Sequence, residues 1–246
     1  MKAKRFKKRF YRDWVCSKRM VKQEIAVWET DLQIFSDRRV EKDFVMRRAV
    51  FYRDQIQEYI NYKDRRFLTA LKPLAVELNA PAIVKEMAGQ SKKANVGPMA
   101  AVAGAIAQYL GRDLLRAGCK DVIIENGGDI FIKVSKPVKV GLYAGSSRLS
   151  GKLGLRIRPQ DTPLGICASS GTVGHSLSFG SADIVIITAK NCALADAAAT
   201  ATANRINSKS DFHKAIEFAR SIRGIKGAVA IIGNNLASWG RVEFVK

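Results

Sequence analysis

The sequence is poor in the residues that usually staple or metallate a protein. Only four cysteines and two histidines occur in 246 residues. Cys16, Cys119, Cys167 and Cys192 are scattered, with no Cys-x-x-Cys pair and no histidine at zinc-ligand spacing. A disulfide framework and a zinc module are therefore excluded, and the thiols are expected to be reduced and mostly buried. Six prolines and 19 glycines are too few for a collagen-like or low-complexity chain. No apolar run behind the basic start is long enough for a signal peptide or a membrane span. No cysteine near the start has the apolar setting that would take a lipid. These absences lead to the expectation of a cytoplasmic protein. Acidic residues are scarce too, 22 against 42 Lys and Arg, which leaves a formal charge of +20.

What is present supports a folded core. A hydrophobic content of 47% excludes intrinsic disorder, and a chain of this length buries enough surface to fold without covalent staples. No linker divides it, so the expectation is one domain over 1–246, opened by a basic tail at 1–9. The charge is uneven. Residues 1–22 hold ten bases and one acid, and residues 23–72 hold ten bases and nine acids. The rest of the excess is a diffuse basic background. A tail such as Lys2-Ala3-Lys4-Arg5-Phe6-Lys7-Lys8-Arg9 is drawn to RNA, DNA or anionic lipid without reading sequence. It also serves as a solvated lead into an edge strand, where charge blocks aggregation. No motif identifies a specific nucleic-acid reader.

Periodicity sets out the elements. Residues 10–15 and 25–35 read as strands, and apolar residues from Phe44 to Ile60 recur at helical spacing within 41–62. Short-helix character follows at 82–88. Gly97-Pro98 opens a helix over 99–117 that stops at Gly118, with Pro98 in its first turn. Strands are predicted at 122–124, 130–132, 138–143, 153–158, 165–168, 184–187, 228–232 and 242–245, and helices at 192–206 and 212–222. Strand pairs thus flank helix groups twice over. The fold class is α+β, with two similar halves of antiparallel sheet packed with helices.

Three segments carry chemical potential. Asn126-Gly127-Gly128-Asp129 joins two apolar strands, and Asn-Gly is a strong hairpin signal. It reads as a structural turn, or as a turn whose bare backbone meets a ligand while Glu125 or Asp129 accepts hydrogen bonds from it. Ala168-Ser169-Ser170-Gly171-Thr172-Val173-Gly174-His175 follows a short strand and offers N–H and O–H donors suited to phosphate, or forms an ordinary polar turn. His213, on the last predicted helix, has no functional assignment. Lastly, Asp196, Thr200 and Asn204 form an i, i+4, i+8 stripe on an Ala-rich helix. A carboxylate there needs a hydrogen-bonded or cationic partner. Either a neighbouring arginine satisfies Asp196, or Asp196 and Thr200 supply hard oxygen ligands to Mg²⁺.

The order of Asn126-Gly127-Gly128-Asp129, Ser170-Gly171, and Ala193-Leu194-Ala195-Asp196 with Thr200 resembles the FAD:protein FMN transferases, the ApbE family formerly called thiamine-biosynthesis lipoproteins. The similarity covers roughly 95–206. It is nearer to a cytosolic branch of that superfamily sharing the runs Val96–Gly104 and Ala168–Ser176. The transferases cut FAD with Mg²⁺, pass FMN to a Thr or Ser hydroxyl of a partner flavoprotein, and release AMP. The resemblance implies a T-fold-like architecture, with Asp196 and Thr200 as metal ligands and a backbone carbonyl near Asn95–Gly97 as a third. It also implies flavin-nucleotide contacts from Asn126, Gly127, Gly128, Asp129, Ser170, Gly171 and Thr172, and His175 as the candidate catalytic side chain. Sheet edges of that architecture pair between copies, so a homodimer is one of its oligomeric options. The chain departs from the transferases where Gly97-Pro98-Met99 replaces their Lys-Gly. It also departs where Thr172–Ala182 is short and lacks their His-x-x-Asp-Pro. Metal and nucleotide binding therefore carry over better than transfer does. The alternatives are a non-catalytic nucleotide-binding accessory protein, in a branch linked to sulfur assimilation into homocysteine, and a nucleic-acid-associated protein acting through its tail.

Overall fold

The computed structural model describes residues 15–16, 19–28, 30–171 and 180–245. Its strands in chain order are β1 (Val15–Cys16), β2 (Val21–Val27), β3 (Thr30–Ser36), β4 (Val122–Asn126), β5 (Asp129–Lys133), β6 (Val138–Gly141) and β7 (Gly154–Ile157). They continue with β8 (Leu164–Ser169), β9 (Ile184–Ala189), β10 (Ile225–Ile232), β11 (Asn235–Gly240) and β12 (Phe244–Val245). The helices are α1 (Lys42–Tyr62), α2 (Arg66–Thr69), α3 (Ala82–Lys93), α4 (Val102–Arg116), α5 (Cys192–Ala203) and α6 (Phe212–Ser221).

An eight-stranded antiparallel sheet runs in the order β11-β10-β9-β8-β5-β4-β3-β2. Its two halves repeat one plan. In the first, β2 and β3 precede α1–α4, and β4 and β5 follow. In the second, β8 and β9 precede α5 and α6, and β10 and β11 follow. The halves meet where β5 pairs with β8. Each half is thus an antiparallel meander with helices inserted at its middle, as the doubled strand–helix–strand pattern led us to expect. Among the described residues no helix is long and apolar enough to cross a membrane.

Alternation along the central strands sorts side chains between two cores. Ile124, Phe131, Cys167 and Ile187 face the helices, whereas Ile123, Ile130, Ile166 and Ile186 face a second, four-stranded sheet. That sheet has the order β1-β6-β7-β12. The central strands are covered on both faces, which is why β4, β5 and β9 are nearly continuous apolar runs. Helix α1 is tied to α4 through buried Asp113. It accepts from Arg48 Nε at 2.6 Å and from the Tyr52 hydroxyl at 2.6 Å. Burial and that carboxylate push the Tyr52 phenol up to about 12.

Helices α4 and α5 approach closely because their facing residues are small. A Cβ on Gly104 would lie 2.5 Å from the Cys192 carbonyl oxygen and 2.8 Å from the Asp196 Cβ. The Ala-rich sequence of α5 serves the same contact.

Several boundaries differ from the pattern reading. The single strand expected over 25–35 is a hairpin, with Val27 opposite Thr30 and Trp28 at φ 50. A tryptophan with positive φ carries none of the Gly or Asn signal by which turns are recognised. Strand β11 was not expected, because Asn-Leu-Ala-Ser-Trp-Gly has little β-propensity of its own. It forms through a six-residue ladder with β10. Of the strand expected over 10–15, only Val15 lies within the described residues.

Candidate functional site

At one end of the large sheet, on its helix-facing side, three segments converge: the β4–β5 turn, the end of β8, and the facing turns of α4 and α5. Asn126 and Asp129 close the hairpin as a pair, which puts Gly127 (φ 69) and Gly128 (φ 107) at the turn centre. The tight turn therefore sits one residue later than Asn-Gly alone suggests, and both glycines supply the positive φ it requires. Glu125 Oε1 accepts from Gly128 N at 2.8 Å and pins the turn. Among the described residues a Cβ on Gly128 would meet only the Ala168 Cβ, 3.9 Å away in ordinary contact, so the turn is not tightly packed beside β8.

Asn126 and Asp129 are both buried. The Asn126 amide donates to the Ala103 carbonyl at 3.1 Å, joining the turn to the start of α4. Asp196, also buried, accepts from Gly104 N at 2.8 Å. The partner of Asp196 is thus the N-terminal backbone of α4 rather than an arginine. Among the described residues it forms no ion pair. The first turn of α4 is electropositive, and its free N–H groups favour an anion there.

That stabilisation is incomplete. Burial, and then the negative charge of Asp129, hold the Asp196 carboxyl well above its ordinary range, against the opposing pull of the Gly104 and Ala103 N–H groups. Folding therefore favours protonated Asp196. As pH rises from 3.8 toward the raised value, the unfolded chain binds fewer protons than the folded one, so metal-free stability falls. Asp196→Asn keeps an acceptor for Gly104 but cannot ionise. Calorimetry of the metal-free protein from about pH 4 to about pH 8 is expected to show a melting point that declines in the native chain and stays level in the variant. At neutral pH the variant is expected to melt several degrees higher, given that ~1 kcal/mol moves a domain of this size by about 2–4 °C.

Thr200 follows one turn later on α5 and is half-buried. Ser169, at the end of β8, is buried, and its hydroxyl has no hydrogen-bond partner among the described residues. Ser170 and Gly171 continue from it, and Gly171 N donates to the Ala182 carbonyl at 3.0 Å. The chain returns at Gly180, packed against the carbonyls of Ala203 and Ile206 beyond α5. Thr172 and His175 lie outside the described residues. The Asn95–Gly97 loop leads into a 3-10 turn at Pro98–Ala101, where the Gly97 carbonyl accepts from Ala100 N.

Two features of the site had no forecast. Gly104 is its backbone donor, and the small-residue run Val96–Gly104 was the only hint of it. The second is a pair of buried thiols, Cys167 and Cys192, whose sulfurs lie 3.5 Å apart. Burial, with added repulsion from Asp129 and Asp196, raises both thiols. They are held protonated and are poor nucleophiles.

Among the described residues no three His, Cys, Asp or Glu side chains gather as a metal site. The donors here are two carboxylates and, one turn along α5, a threonine hydroxyl. This set fits Mg²⁺, which keeps several waters and completes its shell with substrate phosphates, and does not fit zinc.

A family model described as "AbpE bacteria" matches residues 12–237. Among curated proteins, the UPF0280 protein of Methanococcus aeolicus is 40% identical over 228 residues, covering 91% of each chain. The UPF0280 protein of Methanocella arvoryzae is 43% identical over 190 residues, covering 77% of each. Among solved structures, the flavin transferase ApbE from Vibrio cholerae aligns with a TM-score of 0.59 at 12% identity, over 89% of this chain and 96% of that one. The ApbE protein of Thermotoga maritima aligns with a TM-score of 0.61 at 11% identity, over 89% and 96%. At such identities the structural likeness establishes a shared fold.

Proposed function

The chain belongs to the family described as AbpE bacteria, together with the UPF0280 proteins, and on that premise we propose that it binds a flavin nucleotide, FAD, together with Mg²⁺. The observation that carries the proposal is Asp196: a buried carboxylate beside the charge of Asp129, with no cationic side chain paired to it among the described residues. A divalent cation bound there offsets that repulsion in place of the proton that the metal-free site favours. Asp196 and Thr200 would hold the cation, with Asp129 facing it. When bound, Mg²⁺ neutralises the charge of the FAD pyrophosphate and of the leaving AMP.

The remaining work falls to this chain's own groups. The Gly127-Gly128 backbone leaves room for close approach of the nucleotide. The Ser169 hydroxyl gains a phosphate oxygen as the acceptor it lacks, and Ser170 and Gly171 extend that edge with further donors. The N–H groups at the start of α4 hold Asp196 in place from behind. In a transfer reaction the hydroxyl of a partner flavoprotein attacks the FMN phosphorus, the bond to AMP breaks, and we assign the hydroxyl proton to His175. The basic background draws in a polyanionic ligand.

A binding protein without transfer is the second reading. It is favoured by the short Thr172–Ala182 segment, which lacks Asp-Pro. Incubation of the protein with FAD and Mg²⁺, followed by assay for AMP, separates the two. Mg²⁺-dependent AMP release supports transferase chemistry. Tight binding with FAD left intact, in the presence of a hydroxyl-bearing flavoprotein acceptor, supports the binding protein.

A further inference from the structure

We propose a second, phosphate-binding site between the two sheets, remote from the Asp196 pocket. A cavity of about 110 Å³ opens there, lined by Arg156, Lys190, Lys226 and Arg241 together with Thr188, whose hydroxyl donates to the Gly227 carbonyl at 3.4 Å. The acids in its wall, Asp161 and Glu243, are already engaged. Arg241 lies 4.0 Å from Asp161, and Glu243 takes both Arg156 and Arg158, at 3.6 and 2.8 Å. The ammonium groups of Lys190 and Lys226 have no carboxylate partner among the described residues. The wall thus carries four cations against two anions, and the two lysines without a carboxylate flank the Ala189–Ile225 pair of the β9–β10 ladder.

The backbone is built to bring these cations together. In the β9–β10 ladder Ile225 pairs with Ala189 and Gly227 with Thr188, so Lys226 is an extra, bulged residue. A bulge re-aims its side chain, here into the cleft. Two glycines permit it. A Cβ on Gly227 would lie 2.8 Å from Val242 Cγ2, and one on Gly240 (φ 85) would lie 2.3 Å from the Lys226 carbonyl oxygen. That same carbonyl accepts from Arg241 N at 2.9 Å, which fixes Arg241 beside the bulge. An edge-protecting lysine needs none of this construction.

The cavity has room for a tetrahedral oxyanion and little more, and two ammonium groups without carboxylate partners, beside guanidinium groups that keep donors to spare, suit phosphate. Two sources share that chemistry: free phosphate and the phosphate of a phosphomonoester. The site is separate from the one described above. Leu164 lines the cleft while Ser169 borders the Asp196 pocket. The two stand at opposite ends of β8, roughly 16 Å apart at about 3.3 Å per residue. The cleft also opens on the four-stranded-sheet side, away from the helices.

The test is calorimetric titration of the full chain, without Mg²⁺ and at fixed ionic strength, with inorganic phosphate and separately with glycerol 3-phosphate, a phosphomonoester without a nucleotide. Saturable binding is expected. Lys190→Gln with Lys226→Gln is expected to weaken it by about tenfold or more, since a charge-assisted hydrogen bond contributes roughly 1.5–3 kcal/mol. Lys209→Gln with Lys214→Gln removes the same charge from the exposed surface near α6 and is expected to leave binding unchanged. Tighter binding of glycerol 3-phosphate assigns a phosphomonoester, and tighter binding of inorganic phosphate assigns free phosphate. Absence of saturable binding in the native chain, or equal losses in the two lysine pairs, would overturn the proposal.

Discussion

Asp196→Asn is expected to remove Mg²⁺-dependent FAD binding while leaving the protein folded. Asparagine has nearly the volume of aspartate and can still accept from Gly104 N, the bond that joins α5 to the start of α4. What it lacks is the charge. With Asp129 as the sole carboxylate facing the cation, the affinity gained on adding Mg²⁺ is expected to fall on the order of 100-fold, equivalent to about 2.8 kcal/mol. Asp196→Ala is the cruder experiment, because it also leaves the Gly104 N–H buried without an acceptor. The two variants separate charge from packing: both lose the Mg²⁺ effect, and only the alanine variant loses stability. An asparagine variant that keeps the full Mg²⁺ effect would remove Asp196 from the metal site.

A large loss of stability is expected from substitution at Gly104. Gly104→Val forces a side chain into a gap where even a Cβ would sit 2.5 Å from the Cys192 carbonyl oxygen, so α4 must move away from α5. Overpacking of this kind costs roughly 1–3 kcal/mol and often more when the obstacle is backbone. Because the same displacement pulls the Gly104 N–H from Asp196, the variant is expected to lose nucleotide affinity as well. Gly89, on α3, is the matching control. A Cβ there meets nothing within 4 Å, so Gly89→Ala is expected to stabilise by about 0.5–1 kcal/mol through helix propensity alone. Urea denaturation of the three proteins checks the contrast. Equal midpoints for Gly104→Val and the native chain would show that α4 and α5 are not held by that contact.

How much of this was legible in the sequence depends on whether a residue's role is local. The doubled strand–helix–strand order and the buried strand at Ile184–Ile187 follow from periodicity, and the fold class follows from them. The start of α4 was legible only in part: Pro98 has a local reason to open a helical turn, but that turn is the 3-10 stretch Pro98–Ala101, and α4 itself begins at Val102. The Trp28 turn and β11 were not, since both are dictated by partners distant in sequence: Val27 against Thr30, and the β10 ladder. The same division runs through the site. Asp196 stood out as a carboxylate in an alanine helix, so its need for a partner was readable. That the partner is the Gly104 N–H, 92 residues away, was not. Nor does any local pattern bring Asp129 near Asp196, or leave the Ser169 hydroxyl unsatisfied at the same edge. Those relations arise only when the β4–β5 turn, β8 and α5 are packed together. The β10 bulge is of the same kind: Gly227 and Gly240 look unremarkable until Lys226 is seen between them.

The central claim is that the pocket around Asp129 and Asp196 holds a Mg²⁺–nucleotide complex. The most direct measurement is a titration of FAD into the purified protein with and without Mg²⁺, followed by flavin fluorescence. The account predicts saturable binding that tightens on the order of 100-fold with Mg²⁺. Absence of FAD binding, or an affinity indifferent to Mg²⁺, would contradict it.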